Sequence, residues 1–551
     1  ITGRDTTYMQ PLEKTNSEKK SFFLFNGEIY NYKEIKKKFN LSYKKEFSDT
    51  RVLAYLLDKF PFQKAIEYLN GMYAIAKIND NFKEVILTRD TFGQKPLYYS
   101  LYKKNWYISS DPYAIAIATE KRLDNNQLKN FLLSNEDFGT RGLNTGETYF
   151  KNIKEVPANS IIKINKFKLL SKKIIKEKIK KKKIKKIKSE KKIISELKNN
   201  IEKVVKNYCS NHDDVAFTFS GGIDSTILLL ASLKLKKNFK YYTKIADGID
   251  EIAKHSINLL KKIGVHKYER IKINQKNYLH DLIDFIIYSA APARWGTAPS
   301  MIPLYKKMFS DKIKICIGGD GADELFYGYP NINKLNNELK KIKKLSYLDV
   351  IKKYSLSGWD SRSEKSLIKY KKKILNNISV FNKNNKLIKN KKFNYLAKLV
   401  QNLDLNFFLP NIVTPHSDLC SMNNSIELRS PFLDDQIVNY ALDLNTQKIM
   451  LNKKIFSSKY ILKKVLEKQC EELKINSDKI INEKQGTRNF AIQTAKKVNI
   501  NKFPKDLFNF LKLKKSQKYS LKYKYKLLCL AIFFLHFRMN YSKSKILNIL
   551  S

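Results

Sequence analysis

Ser220-Gly221-Gly222-Ile223-Asp224-Ser225-Thr226 sits between two contrasting runs. Residues 215–219 are a short apolar segment of the kind a fully buried strand requires, and 224–235 read as a helix. Two adjacent glycines let a backbone approach a ligand closely. The amides of such a turn point outward, and the helix start that follows favours negative charge. Ser220, Ser225 and Thr226 add hydroxyls. Asp224 is a carboxylate beside this phosphate cradle, as expected of a residue that helps hold Mg²⁺. The alternative is a tight strand-to-helix turn with an N-cap, which does not call for glycines, hydroxyls and an acid together. The spacing is not GxxxxGK[ST], so an ordinary kinase or GTPase loop is excluded.

Further along the chain, 239–245 reads as a strand, 252–263 as a helix and 312–317 as a third strand. Strands alternating with helices predict an α/β unit with a parallel sheet. The third strand ends in Gly318-Gly319-Asp320-Gly321-Ala322-Asp323-Glu324. Carboxyl ends of parallel strands converge on one crevice, so both glycine–acid loops should meet there. Three acids within five residues repel unless they face cations, and a metal bound to a nucleotide meets that need. A solvent-exposed acidic turn is the competing reading. From about 335 onward the pattern is mainly helical.

Residues 1–160 read differently. Strands are predicted at 21–25, 71–78, 85–88, 97–99 and 106–108. Ser48 is an N-cap candidate for a helix whose buried face is Val52, Leu53, Leu56 and Leu57. Residues 172–192 are a basic low-complexity run that reads as a solvated linker. The predicted organisation is a strand-rich domain over 1–160, a linker over 161–195 and a second domain over 196–551.

Composition narrows the function classes. Of 551 residues, 43% are hydrophobic, which excludes wholesale disorder. No run reaches the ~18 apolar residues of a membrane-spanning helix, and no signal peptide is legible at the start. The net charge is +54, yet only 11 of the 106 basic residues are Arg. Phosphate readers favour the planar guanidinium, so the excess reads as a Lys-biased composition rather than a nucleic-acid surface. Five scattered cysteines without a CxxC pair argue against disulfides or zinc and suggest a reducing cytoplasm.

The two loops together resemble the ATP-pyrophosphatase fold, and more narrowly the asparagine synthase family. Phe25-Asn26-Gly27-Glu28-Ile29-Tyr30-Asn31-Tyr32 resembles the glutamine-pocket motif of that family's class II amidotransferase domain, and Ser48-Asp49-Thr50 its second acidic position. The runs 69–74, 89–99 and 425–434 are similar to further family signatures, as is Lys484-Gln485-Gly486. The implied fold is an N-terminal class II glutamine amidotransferase domain (Ntn-type αββα), incomplete, followed by an adenine nucleotide α-hydrolase-like domain with a parallel sheet and a helical extension.

The resemblance also implies a reaction. Glutamine would yield ammonia in the first domain. ATP would adenylate the aspartate side chain in the second, and ammonia would then displace AMP to give asparagine. Ser220, Gly221, Gly222, Asp224, Ser225, Gly318 and Gly319 would contact ATP. Asp224 and Asp323 would hold Mg²⁺. Asp320 would serve intermediate formation or ammonia deprotonation, and Lys484 would stabilise the departing pyrophosphate. Asn26, Gly27, Glu28 and Asp49 would bind glutamine. The implied partners are these small molecules, with no membrane or nucleic acid, and a homodimer is compatible with the family.

Three departures qualify this picture. The family's amidotransferase nucleophile is an N-terminal cysteine, but no cysteine precedes Cys209. A start lost from the sequence is the favoured explanation, since the pocket residues are retained; a glutaminase-free enzyme fed by external ammonia is the other. Ala290-Ala291-Pro292 stands where many members carry Asp-Glu-Pro. His416-Ser417-Asp418-Leu419-Cys420 replaces a more basic Lys-x-Asp-Arg-Met pattern. The acyl substrate could therefore be aspartate or another carboxylate, such as a sugar acid, a polysaccharide or a secondary metabolite. A basic nucleic-acid-binding protein is the alternative from a different class.

Overall fold

The computed structural model describes the chain outside residues 1–9, 17–18, 42–47, 80–83, 121, 134–145, 166–167, 175–188, 211, 247–249, 294–295, 330–340, 343–392, 445–450, 453–454, 457, 477–489, 516–518 and 551. It divides into two compact units. One comprises 1–122 with 144–181, the other 123–143 with 182–551.

The first unit is built on β1 (Leu12–Asn16), β2 (Lys19–Ile29), β3 (Gly71–Asn79), β4 (Glu84–Arg89), β5 (Tyr98–Tyr102), β6 (Asn105–Ser109), β7 (Lys154–Glu155), β8 (Ser160–Asn165) and β9 (Lys168–Ile174). An antiparallel sheet runs in the order β1-β2-β3-β4-β8-β9, and a smaller one in the order β6-β5-β7. Strand alternation separates two cores. Tyr73 and Ile75 of β3 face the helix Asp49–Lys59, whose Val52, Leu53, Leu56 and Leu57 are buried as their spacing predicts. Ala74 and Ala76 face the other way, toward Leu97 and Tyr99 of the small-sheet segment. The helix Pro112–Ala118 packs on β5 and β6, completing an αββα arrangement. The paired strands predicted at 71–78 and 85–88 are β3 and β4, while the turn between them lies outside the described residues.

The large sheet extends beyond residue 160, where the sequence reading ended the domain, because β8 and β9 continue it to Ile174. The region read as linker also ends early, since the helix Glu190–Cys209 starts on the Ser189 cap. Ser189 accepts a hydrogen bond from the Lys192 amide, and Ile193, Leu197, Ile201, Val204 and Val205 line the buried face.

In the second unit, β10 (Val215–Thr218), β11 (Lys240–Ala246), β12 (Tyr268–Ile273), β13 (Ile315–Ile317) and β14 (Glu427–Arg429) form a parallel sheet ordered β12-β11-β10-β13-β14. β10 is central and β11 and β13 flank it, so the two glycine–acid loops leave neighbouring positions on one sheet edge. The predicted strand at 312–317 shortens to three residues, all buried. Among the described residues no helix is long and apolar enough to cross a membrane. The long apolar helix Leu521–Phe537 is instead packed inside this unit against the helix Gln275–Ser289.

Candidate functional site

After β10 the chain turns sharply at Gly221, with φ +74°, and Gly222 caps the helix Ile223–Leu233. A Cβ on Gly221 would lie 3.2 Å from that of Ser256, so the turn needs both the left-handed backbone and the missing side chain. The hydroxyls stiffen the loop from within. Ser220 and Ser225 share a 3.1 Å Oγ–Oγ contact, and the Gly222 amide donates to Ser220 Oγ at 3.3 Å. Ser225 and Thr226 donate to the Gly222 carbonyl at 3.0 and 2.8 Å.

The second loop leaves β13, and β14 dictates its shape. The Gly318 amide donates to the Arg429 carbonyl at 3.0 Å. Any Cβ on Gly318 would come within 2.9 Å of Leu428, and one on Gly321 within 2.2 Å of Leu433. Gly321 has φ +91° and precedes the short helix Ala322–Leu325. The signature at 425–434 thus acts as scaffold. Arg429, itself buried, bonds Glu427 at 2.7 Å and the Tyr208 carbonyl at 2.9 Å. Gly318, expected to lie near nucleotide, spends its amide on β14 and contributes close packing instead of a phosphate donor.

The two loops touch. A Cβ on Gly319 would lie 3.2 Å from Asp224 Cβ. Between their carboxylates stands Lys459, a residue the sequence reading did not single out. Its ammonium lies 2.7 Å from Asp323 Oδ1 and also contacts Asp224 Oδ2. The lysine side chain is 6% exposed. The two carboxylates hold its proton well above the ordinary lysine range, against the opposing effect of burial. Lys459 enters at φ +54°, immediately before the helix Tyr460–Glu472, where one lysine among 95 carries no distinguishing pattern.

Asp320 lies beside this pair. Burial pushes its carboxyl up to about 6, helped by the charges of Asp323 and Asp224 and opposed by a hydrogen bond from Ser417. Glu324 is raised to about 8, chiefly by burial and then by Asp323, and its Oε1 accepts from Tyr329 at 2.6 Å. Two hard carboxylates sharing one ammonium fit Mg²⁺, which commonly takes one or two protein carboxylates and completes its shell with phosphates and water. Of the residues expected here, Ser220, Gly221, Gly222, Asp224, Ser225, Gly319, Asp320 and Asp323 come together at one edge. Lys484 lies outside the described residues.

In the first unit, Asn26, Gly27 and Glu28 lie on β2 opposite β3. Gly27 has φ +148°, and any Cβ there would strike the Met72 carbonyl at 2.0 Å. Asp49 is drawn to the same strand end, because its Oδ2 accepts from the Ile29 amide at 3.2 Å. Asn26 is exposed and Glu28 half-buried, so both can meet a solute. Beyond them, Arg89 locks the following loop through the carbonyls of Lys95 and Gly93, each at 2.6 Å, and Glu155 at 2.7 Å. Asp90 accepts from the amides of Tyr73, Phe92 and Gln94. The 89–99 signature is therefore a structural clamp.

Comparison with known proteins matches both units. Residues 1–174 match the glutamine amidotransferase domain family, and residues 196–515 match asparagine synthase. Asparagine synthetase [glutamine-hydrolyzing] 1 of Bacillus subtilis (strain 168) is 24% identical over 500 residues, 83% of this chain and 75% of that protein. The asparagine synthetase [glutamine-hydrolyzing] of Gallus gallus is 23% identical over 350 residues, 60% of this chain and 59% of that one. A solved glutamine phosphoribosylpyrophosphate amidotransferase from B. subtilis aligns over 48% of each chain, with 16% identity and a TM-score of 0.21, a likeness too weak to bear on the fold. The match over 196–515 covers more than half of the sequence, and the chain belongs to the asparagine synthase family.

Proposed function

We propose that this chain is an ATP-dependent amide ligase that adenylates a carboxylate and hands it to ammonia, most simply converting aspartate to asparagine with release of AMP and pyrophosphate. The observation that carries this reading is the contact between the two loops, with Asp224 and Asp323 held on one ammonium. A carboxylate is a poor electrophile, and joining it to AMP supplies a leaving group. The amides around Gly221 and Gly222 and the start of the helix Ile223–Leu233 receive the phosphates. Asp224 and Asp323 would hold Mg²⁺, which would supply neutralisation of the phosphates' negative charge. Lys459, already in place between them, holds positive charge where pyrophosphate departs. Asp320, with its carboxyl raised to about 6, is placed to take a proton from the attacking ammonia near neutral pH.

In the same reading, Asn26, Gly27, Glu28 and Asp49 receive glutamine, a carboxylate pairing with its α-ammonium. The relatives named as glutamine-hydrolysing asparagine synthetases support this division of labour. The test is pyrophosphate release with Mg²⁺-ATP and ammonium, with and without aspartate. Stimulation by aspartate and formation of asparagine support the reading. Release stimulated by another carboxylate only would leave the ligase chemistry and discard aspartate.

A further inference from the structure

A cavity of about 280 Å³ opens at the outer edge of the parallel sheet, where the edge strand β12 ends. Four elements wall it. β12 supplies Lys272, and the helix Gln275–Ser289 supplies Asn277 and Asp281. The helix Ile302–Ser310 supplies Pro303 and Lys306, and the helix Lys543–Leu550 supplies Lys543. The space approaches the small end of the roughly 300–1,000 Å³ range of ligand pockets. β11 stands between β12 and β10, and no residue of the two glycine–acid loops lines the cavity.

The charges around it are unevenly paired. Asp284, one turn beyond Asp281, draws two ammoniums, Lys306 at 3.2 Å and Lys543. Asp281 is the more deeply buried of the two acids, its side chain 7% exposed against 21% for Asp284. Yet among the described residues the one cation within 4.0 Å of it is that same Lys306, at 3.6 Å, too long for a hydrogen bond. Burial pushes the Asp281 carboxyl up to about 6, with Lys306 opposing the rise and Asp284 adding to it. Lys306 is half-exposed and Lys543 partly so, which leaves both ammoniums open to a solute.

We propose that this cavity is an effector site for a small zwitterionic α-amino acid, which places its ammonium on the Asp281 carboxylate and its carboxylate on the ammoniums of Lys306 and Lys543. A nearly buried carboxylate with half a partner is costly until a second cation joins it. Two lysines that share one aspartate have donors left for another carboxylate. Asp281 and Lys306 stand 3.6 Å apart, so the two charges of the ligand must also be neighbours, as they are on a single α-carbon. A polyanion would meet both aspartates, and a simple amine would leave the lysines without an anion. The ligand is not a substrate at this place, because neither phosphate loop reaches it. The inference does not depend on the ligase reading.

The probe is L-alanine, which carries both charges and no further polar group. It is set against propionate, which lacks the ammonium, and alaninamide, which lacks the carboxylate. Binding of each to the full chain is measured by calorimetry near neutral pH, where Asp281 is mostly ionised. The wild type should bind L-alanine at least ~10-fold more tightly than either analogue. Asp281→Asn should lower the affinity for L-alanine at least ~10-fold. The same variant should keep its affinity for a non-hydrolysable ATP analogue within twofold, which reports that it is folded. Lys543→Met should show a smaller loss, since Lys306 remains. A wild type that does not bind L-alanine at millimolar concentration, or that binds propionate as tightly, overturns the proposal. So does an Asp281→Asn protein that keeps L-alanine binding. Binding lost in Asp49→Ala and retained in Asp281→Asn also overturns it, because the amino acid would then sit in the first unit.

Discussion

Lys459 Nζ lies 2.7 Å from Asp323 Oδ1, and through the same ammonium Asp323 is joined to Asp224 on the neighbouring loop. The relationship explains how two acids from different strand ends can face each other in the free protein. Lys459→Met should leave two nearly buried carboxylates facing one another. Removing one partner of a buried pair costs roughly 3–5 kcal/mol. Thermal unfolding should show a markedly lower midpoint for the variant. Mg²⁺ should raise that midpoint more than it raises the wild type's, and equal Mg²⁺ effects would count against a cation site between these acids.

Gly321 tests the scaffold role of the segment after β14. A methyl group there meets Leu433 and is forced to φ +91°. Gly321→Ala should destabilise the protein by about 1–3 kcal/mol, the range for a non-glycine residue held in that region. Adding Leu433→Ala should relieve the steric part and leave the backbone part. Denaturant unfolding of the two single variants and the double variant gives the split. Strict additivity of the two losses would show that the loop is not shaped by Leu433.

Lys244 carries a pH prediction with a definite sign. Its pKa falls from an ordinary 10.5 to about 8 in the folded chain, so the fold disfavours the charged form. The contribution to stability is complete above the unfolded value and is lost as pH falls through the folded one. Lys244→Met should therefore exceed the wild type in stability most clearly below pH 8, and the gap should close above pH 10.5. A gap independent of pH would mean that the ammonium is not desolvated.

In the first unit, the Asp49 carboxylate holds the end of β2. Its Oδ2 accepts from Ile29 at 3.2 Å and its Oδ1 from the Thr50 amide at 2.6 Å. Asp49→Ala should cost about 1.5–3 kcal/mol per hydrogen bond to the charged group at most. Hydrogen exchange at the Ile29 and Thr50 amides should accelerate locally. Unchanged exchange at Ile29 would detach Asp49 from the strand.

The legible parts of this chain were those in which local chemistry and tertiary role coincide. Gly221, Gly222, Ser220 and Ser225 are unusual together, and their strand-to-helix setting marks a tight glycine turn at the start of the helix Ile223–Leu233. Val52, Leu53, Leu56 and Leu57 marked their helix by spacing alone, and all four are buried. β12 escaped because an edge strand alternates Arg270 and Lys272 with Ile271 and Ile273, which breaks the apolar run that flagged β10. β14 has only three residues and exists because β13 pairs with it, so a local reading found a signature there and no strand. Lys459 is defined by carboxylates more than a hundred residues away in sequence, and nothing adjacent to it announces that role. Lys244 did leave a trace, a charge inside the otherwise uncharged stretch Tyr241-Tyr242-Thr243-Lys244-Ile245-Ala246.

The most direct measurement of the central claim is carboxylate-stimulated conversion of ATP to AMP and pyrophosphate by the full chain, supplied with ammonium, and by its Asp224→Ala variant. Aspartate should stimulate pyrophosphate release by the wild type, and the variant, though folded, should lose at least ~100-fold of that rate, a transition-state deficit of about 2.7 kcal/mol. Undiminished turnover by Asp224→Ala would mean that the two loops do not act as one nucleotide site.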